Sequence, residues 1–140
     1  MIVVIDTNVV LTMFKPSHLH WRIFQAWAIN RLQWAVSTEI LLEYEEVMAR
    51  MNSAAYAALA FQTIQAIESA RKNLLRISPS FHFRSITADP DDDKFADCAI
   101  AAEADHVITN DHHFDALRGS GYKPQPITPE EFIRRHLAGA

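Results

Sequence analysis

Two short apolar runs in this chain each lead into an acidic residue. Ile2-Val3-Val4-Ile5 precedes Asp6, and Val107-Ile108-Thr109 precedes Asn110-Asp111. Short runs of β-branched residues read as strands, and unbroken apolarity marks strands buried on both faces of a parallel sheet. Open α/β sheets hold their ligands beyond the carboxyl ends of the strands. Asp6 and Asp111 are therefore expected at one rim, facing one site. Two close carboxylates repel unless a proton or a cation lies between them, and a divalent metal is the natural cation.

A second acidic group lies on a predicted helix over 90–104. After Lys94 it reads Phe95-Ala96-Asp97-Cys98-Ala99-Ile100-Ala101-Ala102, apolar nearly all round and so expected to be buried. Asp97 interrupts it, and an ionised carboxylate in such a place needs a partner or a metal. Asp93 lies four residues earlier, on the same face. The plainer alternative is that both are partly solvated and Asp93 serves only the first turn of the helix. Asp89 and Asp92 have plainer explanations, as helix cap and as charge favoured by the helix dipole. Another predicted helix, over 38–50, carries Glu43 and Glu45 on opposite edges of an apolar stripe, and periodicity does not choose between them.

These residues must be positioned by one domain. The 140 residues are enough for a real core and too few for two ordinary domains. Hydrophobic residues make up 49%, the composition of a globular protein. The net charge of -4 gives no global basic signature for nucleic acid. Five of the 17 acids, Asp89, Asp91, Asp92, Asp93 and Asp97, fall within nine residues, where a polyanionic substrate would need bound cations. The single cysteine, Cys98, excludes an intramolecular disulfide and fits a reducing cytoplasm. An apolar amino-terminal run broken by Asp6 argues against a signal peptide, and no stretch is long enough to span a membrane.

Strands and helices alternate along the chain. Strand 2–5 is followed by a break near Lys15-Pro16, a helix over 18–31 and a strand over 34–36. Ser37 or Thr38 caps the helix over 38–50. An Ala-rich helix spans 53–72, a third strand 74–77, and 80–88 is irregular. Asp89-Pro90 opens the buried helix. Strand 106–109, a short helix near 112–118 and a last helix, opened by the capping box Thr128-Pro129-Glu130-Glu131 and running to Leu137, complete the reading. Alternation of this kind implies a three-layer α/β/α fold around a central parallel sheet.

In this order the motifs resemble a known family, the PIN domain. Asp6-Thr7-Asn8-Val9 after the first strand is one match. Ser37-Thr38-Glu39-Ile40 leading to Glu43 is another. Asp93 and Asp97 heading Cys98-Ala99-Ile100-Ala101-Ala102, and Ile108-Thr109-Asn110-Asp111, complete the set. The resemblance covers nearly the whole chain. Asp89-Pro90-Asp91-Asp92 and Thr128-Pro129-Glu130-Glu131-Phe132 look like the branch of VapC-like toxins of toxin–antitoxin pairs.

The resemblance implies a small nuclease with a pocket of four or five acids. Asp6, Glu43 and Asp111 match the family's acids, and Asp93 and Asp97 both fit the acids that open the buried helix. Thr7, Asn8 and Thr109 match small polar positions that orient them. Asn110 stands where relatives often have glycine, which alters the approach to Asp111. The implied cofactor is Mg²⁺ or Mn²⁺, a hard ion that takes oxygen ligands. The implied reaction is in-line hydrolysis of RNA phosphodiesters. The implied partners are an RNA substrate, an antitoxin that blocks the acidic pocket, and a second copy packed through helices, for which the apolar faces of 18–31 and 53–72 could serve unless both are core.

Other assignments compete. The same fold without catalysis would be an RNA-binding or regulatory module. A phosphotransferase with Asp6 as nucleophile would want a second Asp two residues later, where Asn8 stands. A structural Ca²⁺ site lacks EF-hand spacing. Lys15, Arg22, Arg50, Arg84, Lys94 and Arg118 could track phosphates, and Trp21, Trp27 and Trp34 could stack bases, although aromatics more often fill cores. His112 and His113 adjoin Asp111, but no His/Cys set has zinc spacing, and the seven histidines are expected not to ligate a metal.

Overall fold

In the computed structural model, which describes residues 1–80, 83 and 92–138, five short strands form one parallel sheet. They are β1 (Ile2–Ile5), β2 (Gln33–Val36), β3 (Leu74–Arg76), β4 (His106–Ile108) and β5 (Gln125–Ile127), in the order β3-β2-β1-β4-β5. The register pairs Ile5 with Ile108 and Ile108 with Ile127. The strand ends are therefore level, and the residues that follow them share one rim.

The helices are α1 (Thr7–Met13), α2 (Trp21–Ala28), α3 (Thr38–Met51), α4 (Ala54–Arg71), α5 (Asp93–Ala101) and α6 (Pro129–Phe132), the last continuing as a π-helical stretch, Ile133–Leu137. The crossovers from β1 to β2 and from β2 to β3 run one way, and that from β3 to β4 runs back. Right-handed crossovers in opposite directions cover opposite faces, which gives the three layers expected. On the return crossover, α5 packs across β1, β2 and β4. The core includes the fully buried Trp27, Trp34, Tyr44, Phe95, Phe114 and Phe132. Trp27 meets Trp34 edge-on at 5.0 Å, and Trp34 meets Tyr44 at 5.8 Å. Trp27 and Trp34 are thus core residues, closed to base stacking.

Several expectations need correction. The helix expected over 18–31 is only Trp21–Ala28, and that expected over 90–104, described from Asp93, ends at Ala101. Both stop in the same way. Asn30 (φ 67°) and Glu103 (φ 52°) turn left-handed. The next N–H groups, of Arg31 and Ala104, then reach back to the carbonyls of Ala26 and Ala99 at 2.8 and 2.9 Å. This is a Schellman stop, and without glycine it has no strong signal in the sequence. Helix α1 and strand β5 were not anticipated. The first is short and β-branched. The second contains Pro126, which only an edge strand accepts. The proposed opening at Asp89-Pro90, and Asp91 and Arg84, lie outside the described residues.

Candidate active site

Asp6 is fixed by the turn from β1 into α1. As the N-cap of α1 it accepts the Thr7 N–H at 2.8 Å on Oδ1, and its Oδ2 accepts the Thr109 hydroxyl at 2.8 Å. The Thr109 hydroxyl also accepts the Asp111 N–H at 2.9 Å. The ends of β1 and β4 are thereby locked together through side chains. Asp6 is only 7% exposed. Burial raises its carboxyl pKa above the usual carboxylate range, and the charges of Asp111 and Glu43 raise it further, against the two hydrogen bonds. The predicted acids Asp6, Glu43 and Asp111 therefore face one another electrostatically.

Glu43 is delivered by α3, whose N-cap Ser37 accepts the Ile40 N–H at 3.3 Å. Its carboxylate accepts a hydrogen bond from the Thr7 hydroxyl and pairs with the Lys94 ammonium at 2.8 Å. Both side chains of that ion pair are mostly enclosed, 19% and 25% exposed. Of the two acids on α3, Glu45 is exposed, while Glu43 meets Thr7 and Lys94. The adjacent Tyr44 hydroxyl donates to the carbonyl of Ile5, which binds α3 to the last residue of β1.

Asp97 lies on α5, 3% exposed, and accepts the N–H of Phe83 at 2.9 Å. With Lys94, Ser37, Thr38, Ser78 and neighbours it lines a cleft of about 220 Å³. Asp93 opens α5, half-buried, one turn earlier. Asn8 and Asn110 are exposed, whereas Thr7 and Thr109 are buried. Cys98 is no nucleophile: burial pushes its thiol up to about 12.

Two further residues gather here. His113 Nδ1 lies 3.4 Å from Asp92 Oδ2 and 3.4 Å from Asp111 Oδ1. Asp92 stands at the N-cap of α5, where its charge favours the helix dipole as expected, and makes no side-chain capping bond there. His113 was set aside with the other histidines. The Asp111-x-His113 spacing was the available signal. Asp111 accepts the His113 N–H at 2.9 Å and starts the 3₁₀ turn His112–Leu117, which brings both side chains to one side.

Buried Asp6 and Asp97, with half-buried Glu43, Asp93 and Asp111, lie at the rim of a parallel sheet, beside the point where strand order reverses between β1 and β4, an arrangement whose oxygens are able to hold a hard cation. The comparisons agree with this architecture. The family model for the PIN domain matches residues 2–113, and the chain belongs to the PIN domain family. No curated protein sequence matches it. Among solved structures it is similar to VapBC2 from Rickettsia felis bound to a DNA fragment from their promoter. That match has a TM-score of 0.62 at 16% identity and covers 91% of this chain and 99% of that one. At this identity the likeness speaks for the fold.

Proposed function

We propose that this protein is a metal-dependent endoribonuclease and the toxin of a toxin–antitoxin pair, acting in the cytoplasm. The observation that carries the reading is Asp6, buried at a strand end and opposed by the charges of Asp111 and Glu43. Such a cluster is at rest only with a proton or a cation in it. The donor set is all oxygen, which suits Mg²⁺ or Mn²⁺. Asp6, Asp97 and Asp111, with Asp93 and Glu43 contributing directly or through water, would hold the ion. Bound there, it would supply an activated water and positive charge beside the phosphate.

The chain's own residues do the rest. Thr7 and Thr109 hold Asp6 in one rotamer, so its oxygens need not reorganise when substrate arrives. The Thr7 hydroxyl aims Glu43 at the site, where it can orient the attacking water. Lys94 neutralises part of the acidic field and stands where a phosphate oxygen would meet it. The fold of a toxin–antitoxin complex as a structural neighbour supports an antitoxin partner. The half-open apolar groove of Phe14, Trp21, Phe24, Tyr56 and Leu59 gives a partner helix or a second copy somewhere to sit.

The test is incubation of the purified protein with a labelled structured RNA in Mg²⁺, in Mn²⁺ and in EDTA, beside Asp6→Asn. Cleavage that needs the metal and disappears in the variant is expected. RNA bound but uncut by wild type in both metals would replace the nuclease with the non-catalytic RNA-binding module.

A further inference from the structure

Asp92, Asp111 and His113 come from two elements, the N-terminal edge of α5 and the turn after β4. Each offers one donor atom, and the three atoms lie within 4.8 Å of one another. Nδ1 of His113 is 3.4 Å from an oxygen of each acid. Around an octahedral ion bound at about 2.1 Å, adjacent donors stand about 3 Å apart and opposite ones about 4.2 Å. Shifts of a few tenths of an ångström in three side chains would reach that geometry. The Asp92 side chain is 13% exposed and that of His113 46%, so the set is anchored inside and open to solvent on one side.

The other described histidines are placed differently. His20 is held between Thr12 and Glu130. His18 meets His20 at 4.3 Å with the rings tilted, and His106 meets His136 in the same way at 5.3 Å. His112 is 95% exposed and lies 3.7 Å from Asp115. Among the described residues, His113 alone joins two carboxylates in such a group.

We infer that Asp92, Asp111 and His113 form a cation site with one nitrogen ligand at the mouth of the acidic cluster, and that this site favours Mn²⁺ over Mg²⁺. The inference rests on the proposed nuclease site only in sharing Asp111 with it. Mg²⁺ keeps its waters and takes oxygen ligands, whereas imidazole suits transition ions. An imidazolium lying between the two carboxylates would give the same distances, so the discriminating observation is a metal–nitrogen bond.

The experiment uses the full chain and Mn²⁺ alone. Binding is followed by electron paramagnetic resonance, and pulsed spectra report any ¹⁴N directly bound to the ion. Wild type is expected to show ¹⁴N modulation, and His113→Gln to lose it. The variant is also expected to bind Mn²⁺ at least about tenfold more weakly, the loss that removal of even an outer-shell partner brings. Mg²⁺ affinity, measured by competition, should change far less. Asp92→Asn should weaken Mn²⁺ while keeping the nitrogen signal, which separates loss of a ligand from loss of the fold. Bound Mn²⁺ without nitrogen coupling, or coupling that survives in His113→Gln, would overturn this inference and leave the nuclease reading standing. No Mn²⁺ binding at all would remove both.

Discussion

Asp6 shows how a site residue can act against the stability of its own fold. Its carboxyl is held above the ordinary value by burial first, then by Asp111 and Glu43. A carboxyl raised on folding stabilises the native state while protonated. That contribution is fully present below the unfolded value and is lost as pH rises through the folded one. At neutral pH the metal-free protein therefore carries a destabilising charge. Asp6→Asn removes the charge and can still accept the Thr7 N–H. In EDTA at neutral pH the variant is expected to melt about 2–4 °C above wild type. The gap should close as pH falls below the ordinary value of 3.8. Asp105, lowered by the Ile2 N–H, and Glu68, lowered by Arg76, lose their contributions in the acid range too, but equally in both proteins, so the difference isolates Asp6. Added Mn²⁺ should raise wild type above the variant, because a ligand of the native state stabilises it. Scanning fluorimetry across pH, with and without metal, measures this. A variant less stable than wild type in EDTA would mean that the hydrogen bonds to Thr109 and Thr7 outweigh the repulsion.

At the scale of elements, one hydrogen bond aligns two acids. Tyr44 precedes no active group itself, but it adjoins Glu43 on α3, and its hydroxyl meets the carbonyl of Ile5, which adjoins Asp6. Burial pushes its phenol well above the usual range, so it remains a donor at any working pH. Tyr44→Phe keeps the ring between Trp34 and Phe95 and withdraws the donor from a buried carbonyl, at a cost of about 1–3 kcal/mol. A lower Tm together with weaker Mn²⁺ binding by calorimetry is expected; a lower Tm with unchanged binding would reduce the contact to a structural one. The elements that carry the acids were readable because each announces itself locally: β1 and β4 as unbroken apolar runs, α3 by the Ser37 cap, α5 by its buried face. What was not readable had no local signal. In α1, Thr7, Val9, Val10 and Thr12 are poor helix formers, and the cap is Asp6, already taken for a site residue. Strand β5 exists because an edge tolerates Pro126. The helix stop at Glu103 uses a residue that rarely turns left-handed, and Asn30, which does so more readily, lacks the glycine that would mark a stop plainly. The approach of Asp92 to His113 is a tertiary event, made when the turn after β4 meets the head of α5, and no periodicity encodes it.

Over the whole molecule, cations are fewer than acids, 13 against 17, and many are already engaged. Lys94 pairs with Glu43, Arg76 with Glu68, Arg118 with Asp115, Lys123 with Asp105, and Arg134 and Arg135 with Glu131. Nucleic-acid affinity comes mainly from cations that neutralise phosphates, and here the rim that would meet RNA is acidic. The field of the metal-free protein should therefore repel RNA from the very edge where the sheet gathers the acids proposed for catalysis. Divalent ions would reverse the sign of that rim without altering the rest of the surface. Binding and metal occupancy should then be one event. The measurement is fluorescence anisotropy of a labelled RNA at constant ionic strength, in EDTA and in Ca²⁺, a hard ion with oxygen ligands. Affinity in Ca²⁺ is expected to be at least about tenfold higher, worth about 1.4 kcal/mol. Asp6→Asn, with one charge fewer at the rim, should bind RNA more tightly than wild type in EDTA and gain less from Ca²⁺. Equal affinity of wild type in the two conditions would move the RNA contact to a surface away from the acids, and the metal would then serve the chemistry alone.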